Sequence, residues 1–473
     1  ISSFAVNSSL MAFFHGHISN VTVDGLDIEI SRGRPVGEQS PPQPGANSAT
    51  ATAGTSTKPA AAPGPVNPAT SGATPAPNPA ASNAKAAEAK APGREFVIDS
   101  MTAKDAKLVI HPSEVGKHGK VWQIHTLEMQ SLSADSASPF QAVLTNAVPP
   151  GLIEVKGSFG PWAKEDAGLT EVEGKFTFAH ADLSVFKGIS GILSSTGSFG
   201  GSLARIEVHG ETHTPDFVVS TGGHPLPLQT TYHAIVDGTN GNTILEAINA
   251  TLVKTTILAK GAVIDTPGPE GRTVSLDVTI NRGRLEDVLR LAVNAPAPPL
   301  TGAISIKTKF VLPPGKNRTV VEKLQLNGTF VVAEAGFTSD DVQNKINELS
   351  QRSRGKSKGP EAPAERVTSH FEGKFSLRNG TLALPAIAFN VPGSVVELSG
   401  SYALVPATLD FTGMLFMDAK ISETASGWKR LLLKAVDPLF KREGGGSAIP
   451  IKITGERSNP TFGLDRSRVF KRD

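Results

Sequence analysis

Cysteine is absent from the 473 residues, which excludes disulfides, zinc–thiolate centres and thiol nucleophiles. The absence fits an oxidising compartment without requiring one. Aromatic residues are scarce, at 6%, and no uninterrupted apolar run approaches the roughly eighteen residues that would span a bilayer. Neither sign of charge prevails: 46 basic residues face 44 acidic ones, and no basic patch is interleaved with aromatics. Nucleic acid is therefore not expected as a partner. With 47 Gly and 35 Pro, the chain is punctuated too often for packed helices and suits many short strands and turns.

The clearest pattern runs from His370 to Asp418. Phe371, Phe375 and Leu377 alternate with Glu372, Lys374 and Ser376, and Asn379-Gly380 supplies the left-handed residues of a tight hairpin before Leu382 and Leu384 resume the apolar row. Pro392-Gly393 marks the next turn. Val396, Leu398, Tyr402 and Leu404 then share one face, as do Leu409, Phe411, Gly413, Leu415 and Met417 after Pro406. The alternation predicts an antiparallel meander with one continuous apolar side. So long a meander with few helices to cover it favours an open curl over a closed barrel or sandwich. The predicted fold is mainly β: a long antiparallel meander curled into an open apolar groove, with a few short helices.

The rest of the chain divides by composition. Residues 1–32 start at Ile1, not Met, which points to a removed N-terminus. They hold a short apolar segment around Leu10 to Phe14 and a strand pair carrying Val21, Val23, Leu26, Ile28 and Ile30. Residues 33–93 are rich in Pro, Ala and Ser and predict a disordered linker. Strands resume over 94–280 as the first part of the groove, and 281–473 continues it with short helices. Asn240-Gly241 and Asn327-Gly328 read as turns. Ile206-x-Val208-x-Gly210 with Pro215 and Phe217 matches Ile451-x-Ile453-x-Gly455 with Pro460 and Phe462 at equal offsets, which reads as two copies of a strand-turn-strand unit.

Helical spacing appears at Leu285, Val288, Leu289 and Ala292, and at Val342, Ile346 and Leu349 behind the cap-like Ser339. It appears again at Trp428, Leu431, Leu432, Ala435, Val436 and Leu439, among lysines and arginines. This last helix either covers the end of the sheet or lies on an anionic membrane surface.

Catalytic constellations are missing. Gly355-Lys356-Ser357-Lys358-Gly359 has the letters of a nucleophile elbow but follows a helical pattern in a basic, Pro-containing run, where that motif needs strand then helix. His15-Gly16-His17 has no third ligand and reads as two surface histidines. No catalytic residue, metal or cofactor is expected, and the chain is not read as an enzyme.

Four stretches carry a resemblance: PLTGAISIKTKFVLPPG (299 to 315), LQLNGTFVVAEAGFTSDDVQNKINELSQRSRGK (324 to 356), FEGKFSLRNGTLALPAIAFNVPGSVVELSGSYAL (371 to 404) and IPIKITGERSNPTFGLD (449 to 465). Over roughly its second half the chain resembles the AsmA-like proteins of the Gram-negative envelope, relatives of TamB. The resemblance implies a periplasmic body held at the inner membrane by a segment absent from this chain. It also implies a trough that binds or carries phospholipid in support of outer-membrane biogenesis, with outer-membrane or envelope proteins as further partners. In that trough Phe371, Phe375, Leu377, Leu382, Leu384, Val396, Leu398, Tyr402, Leu404, Leu409, Phe411 and Leu415 would meet lipid. The alternative is a non-enzymatic periplasmic scaffold or assembly factor whose trough its own side chains fill.

Overall fold

In the computed structural model the described residues are 1–31, 97–111, 120–266, 271–315, 317–354, 367–424, 434, 437–442 and 445–469. The Pro-rich segment 33–93, the Gly355–Gly359 motif, the apolar positions Trp428, Leu431 and Leu432, and the side chain of Leu439 lie outside them. Ile1–Arg32 and Glu95–Asp473 belong to one compact unit.

The chain opens with β1 (Ser3–Asn7), helix α1 (Leu10–Phe14), β2 (His17–Ile18), β3 (Asn20–Asp24) and β4 (Asp27–Ser31). The meander follows as β5 (Val97–His111), β6 (Lys120–Leu132), β7 (Ser138–Thr145), β8 (Leu152–Phe159), β9 (Glu171–Asp182), the two-residue β10 (Ile189–Ser190), β11 (Ile192–Ser202), β12 (Arg205–Val219), β13 (Leu226–Val236), β14 (Thr243–Leu252), β15 (Thr255–Asp265) and β16 (Arg272–Arg284). Helix α2 (Leu285–Ala292) leads to β17 (Leu300–Leu312), α3 (Val320–Lys323) to β18 (Gln325–Phe337), and α4 (Asp340–Ser353) towards β19 (Ser369–Arg378). Hairpins then join β20 (Thr381–Val391), β21 (Ser394–Ala403) and β22 (Thr408–Met417), before β23 (Ser447–Glu456) and β24 (Thr461–Leu464). The fold is mainly β, one open sheet of 23 strands that never closes on itself, with β10 laid on the end of β12.

From β5 onward each strand pairs antiparallel with the next long one, as the alternating pattern and Gly/Asn turns predict. Asn379 and Gly380 have φ of 49° and 71°, the left-handed pair of a two-residue hairpin. The predicted helices at 285–292 and around Val342 to Leu349 are α2 and α4. Ser339 caps α4 by accepting a hydrogen bond from the Val342 N–H.

Three expectations are corrected. The expected strand pair, β3 and β4, does not pair with itself: β2, β3 and β4 run end to end along β5, each parallel to it, and β1 pairs antiparallel with β3. A parallel neighbour needs a long crossover, and the 65 residues between Ser31 and Val97 provide one. Asn327-Gly328 is not a turn but lies inside β18, with Gly328 opposite Thr308 and Phe375. A Cβ there would fall 2.2 Å from the Lys307 carbonyl oxygen, so the glycine marks a close strand approach. Only the second copy of the paired motif turns between strands. In the first, residues 205–219 are one strand, and Pro215 sits in a bulge between Thr214 and Phe217.

Candidate functional site

Following the register across the sheet gives a row without a charged side chain. Ala142, Val155 and Phe176 lead through Gly197, Gly210 and Tyr232 to Ile248, Ala259 and Val278, and then through Thr308, Gly328 and Phe375. A parallel row continues from Phe330 through Gly373, Ile387, Leu398, Gly413 and Ile451 to Leu464. Among the described residues, no Asp, Glu, Lys or Arg projects onto this face from the interior of any strand between β7 and β23. Asp265 and Arg272, opposite each other at strand ends, are the charges that come nearest to it. The other face carries the charge: Glu154 and Lys156, Glu171 to Lys175, Lys307 and Lys309, Glu372 and Lys374.

Most apolar floor residues in the middle of the sheet are half-buried, not sealed. The rings that should fill the space lie flat instead. Phe176 lies over Gly197, Phe199 over Gly174, Phe330 over Gly373 and Phe411 over Gly400, each pair cross-strand neighbours. A methyl group added at Gly197 would meet the Phe176 ring at 2.8 Å, and one at Gly400 would meet Phe411 at the same distance. Each ring thus occupies the place of a missing Cβ. Burial in this apolar surface pushes the Tyr402 phenol pKa above its usual value.

Of the positions predicted to line the groove, Phe371, Phe375, Leu377, Leu382, Leu384, Val396, Leu398, Tyr402, Leu409, Phe411 and Leu415 share this face. Leu404 lies past the end of β21, in the turn where its N–H donates to the Gly380 carbonyl. The C-terminal part is less open than alternation alone suggests. Phe389, Val391 and Val396 form a buried cluster beneath Ile346 and Leu349 of α4, and α2 seats Leu285, Val288 and Leu289 on Ile304, Val332 and Ala335. Helix position is local, but what a helix covers depends on tertiary packing, so α4's footprint was not readable from spacing.

Connections alternate between two rims. One carries the β9–β11 loop, α2 and α4; the other carries α3 and the β23–β24 turn. Among the described residues two hydrogen bonds join the rims. The Val320 N–H, leading α3, donates to the Lys187 carbonyl in the β9–β11 loop at 2.6 Å, and Arg457 in the β23–β24 turn donates from Nη2 to the Asn294 carbonyl beyond α2 at 3.0 Å. Seven strands separate the partners each time, β11 to β17 and β17 to β23. Seven strands at about 4.8 Å and a strand length of about 36 Å give a diagonal near 50 Å, and so a ring about 16 Å across between backbones.

Proline at Val320 should separate the rims at one bridge. Val320 is the first residue of α3, where proline suits the helix, so the change removes the bridging N–H and puts a ring carbon against the Lys187 oxygen. We expect a loss of about 1 kcal/mol, read as faster amide exchange in residues 183–191 with the strands unchanged. α3 has a capping box in which Glu322 accepts from the Thr319 N–H and Thr319 Oγ1 accepts from the Glu322 N–H. The Thr319 backbone N–H, then its hydroxyl, hold the Glu322 carboxyl below its ordinary value. The folded pKa is the lower one, so the box contributes above the unfolded value and is lost as pH falls through the folded one, loosening this bridge only in acid.

Both ends of the apolar face are uncovered. Phe462 on β24 is 71% exposed and Phe4 on β1 is 62% exposed, each in register with the floor. Leu10, Met11, Phe13 and Phe14 of α1 are exposed beside the β1 end. Among the described residues no helix is long and apolar enough to cross a membrane. The His15 ring bonds the Met11 carbonyl and the His17 ring bonds Asp99, so these two do not converge on one point. Comparison with protein-family models, with curated proteins and with solved structures found no match.

Proposed function

We propose that the groove binds the acyl chains of phospholipid and lets them move along it, as a periplasmic AsmA-like protein would between inner and outer membranes in support of outer-membrane biogenesis. The observation that carries this is the floor: sixteen sheet strands from β7 to β23 without an interior charge, with most of its apolar residues half-buried. An acyl chain of about sixteen carbons gains on the order of 12 kcal/mol on leaving water, at about 0.8 kcal/mol per methylene. No head-group pocket is then needed to retain it. Away from the clusters under α2 and α4 successive rows offer the same kind of surface, so a shift from strand to strand there changes the free energy little, and the uncovered ends supply entry and exit. The setting in the cell envelope, the attachment to the inner membrane through a segment outside this chain, and envelope protein partners rest on the AsmA-like resemblance alone.

The scaffold alternative draws its support from the clusters under α2 and α4, where the protein's own side chains fill the concavity. The middle of the groove decides between the two. A photoreactive residue at Val278, on the floor, should crosslink phospholipid in protein purified gently from membranes, and one at neighbouring Thr279, on the outer face, should not. Equal labelling at both, or none at Val278 with no lipid retained in native mass spectrometry, would overturn the groove.

A further inference from the structure

On the outer face, away from the groove, β12, β13 and β14 bring together two histidines and two glutamates. His209 and His233 are directly opposite in the β12–β13 register, and their rings stack with centroids 4.2 Å apart and planes 9° from parallel. Glu207 lies two residues before His209 on the same side of β12. One ligand atom from each of Glu207, His209 and His233 falls within 4.8 Å of the others. On the third strand, Glu246 Oε2 lies 3.2 Å from Nδ1 of His233.

That last contact fixes the chemistry of the cluster. A neutral imidazole carries one N–H and one lone pair, and the carboxylate beside Nδ1 draws the proton there. Nε2 of His233 is left as the lone-pair nitrogen, and it is shielded from solvent with no hydrogen-bond donor to meet it. A buried acceptor without a donor is costly, and a cation is what such a nitrogen accepts. A histidine whose far nitrogen is held by a carboxylate is the usual form of a metal-bound imidazole.

We propose that Glu207, His209 and His233 bind one divalent transition-metal ion, with Glu246 as a positioning residue that fixes the His233 tautomer. Two imidazoles and one carboxylate suit zinc, copper or nickel and are poor for magnesium or calcium, which take oxygen ligands. Bond lengths of about 2.1 Å in a tetrahedral site put ligand atoms about 3.4 Å apart. Closing to that spacing falls to Glu207 and His209, whose side chains are exposed and can change rotamer. Arg205 Nη2 lies 3.2 Å from Glu207 Oε1, which leaves the other oxygen for the metal. Three protein ligands leave a fourth position for water or for a group from a partner, and the ion would tie β12 to β13 behind the groove.

The test uses the full chain, stripped with chelator and titrated with cobalt(II) by visible absorption, then with zinc as competitor. One equivalent of cobalt should give the intense bands of a four-coordinate site, and zinc should displace it while magnesium should not. His209→Ala, an exposed change that leaves the sheet intact, should abolish the bands, as should His233→Ala. Glu246→Gln should weaken binding about 10- to 100-fold without removing the site. His15→Ala and His17→Ala should change nothing. Cobalt spectra that persist in the His209→Ala/His233→Ala double variant, or the absence of any stoichiometric binding in the unaltered chain, would overturn the proposal.

Discussion

Aspartate in place of Val278 should leave the protein folded and cut the lipid held beyond that row about 100-fold. Val278 is half-buried on the floor, with Ala259 and Thr308 as cross-strand neighbours, so a carboxylate there stands among small side chains within reach of water. The free protein therefore tolerates the charge. A passing acyl chain does not, because it must strip water from the carboxylate, at a cost of about 2.5–3.5 kcal/mol for Asp in a hydrocarbon setting. Each 1.4 kcal/mol is a factor of about ten. Val396→Asp provides the contrast. Val396 is 7% exposed, inside the cluster covered by α4, and a carboxylate there is buried without a partner, which should destabilise the sheet by about 3–5 kcal/mol. Thermal unfolding and lipid retention measured on both variants separate the two readings of the groove. A groove filled throughout predicts that Val278→Asp unfolds the protein as Val396→Asp does. If Val278→Asp folds and retains lipid unchanged, the conduit fails.

The meander and its apolar face were legible in the sequence because they are local. Alternation of period two from Phe371 to Phe411 fixes which side chains share a face, and Asn379-Gly380 fixes the register of the hairpin between them. What could not be read depends on sums over many strands or on pairings between distant segments. The rim-to-rim bridges arise from tilt and curl accumulated over seven strands, and neither Lys187 nor Val320 carries a mark of its partner. His209 and His233 are 24 residues apart, and only the β12–β13 register makes them neighbours. Glycine misled for a physical reason. The residue that permits a turn also permits two strands to approach closely, so Asn327-Gly328 looked like the first and proved to lie inside a strand.

The rim that holds α2 should depend on a single buried carboxylate. Asp287 is 2% exposed in the first turn of α2, and its Oδ2 accepts from the Thr255 hydroxyl at 2.9 Å and from the Lys254 backbone N–H at 3.2 Å. Those two donors lie at the β14–β15 connection, Lys254 in the turn and Thr255 opening β15, and Val253 in that turn has φ of 56°, a left-handed conformation that a β-branched residue adopts only when its surroundings impose it. Asp287 therefore pins a strained turn and the start of a helix with one group, and the helix N-terminus favours its charge. Hydrogen bonds to a charged group contribute about 1.5–3 kcal/mol each, so Asp287→Ala should cost about 3–4 kcal/mol, leaving the Lys254 N–H and the Thr255 hydroxyl without this acceptor. Amide exchange in α2 and around Val253 should quicken by a factor of about 100 or more, with β19 to β22 unaffected. Thr255→Val in the Asp287→Ala background should recover part of the loss, since removing both partners leaves fewer unsatisfied groups than removing one. Additive effects of the two substitutions would show that the carboxylate and the hydroxyl act independently, and a loss under 1 kcal/mol for Asp287→Ala would show that α2 is held by its apolar contacts with Ile304, Val332 and Ala335 alone.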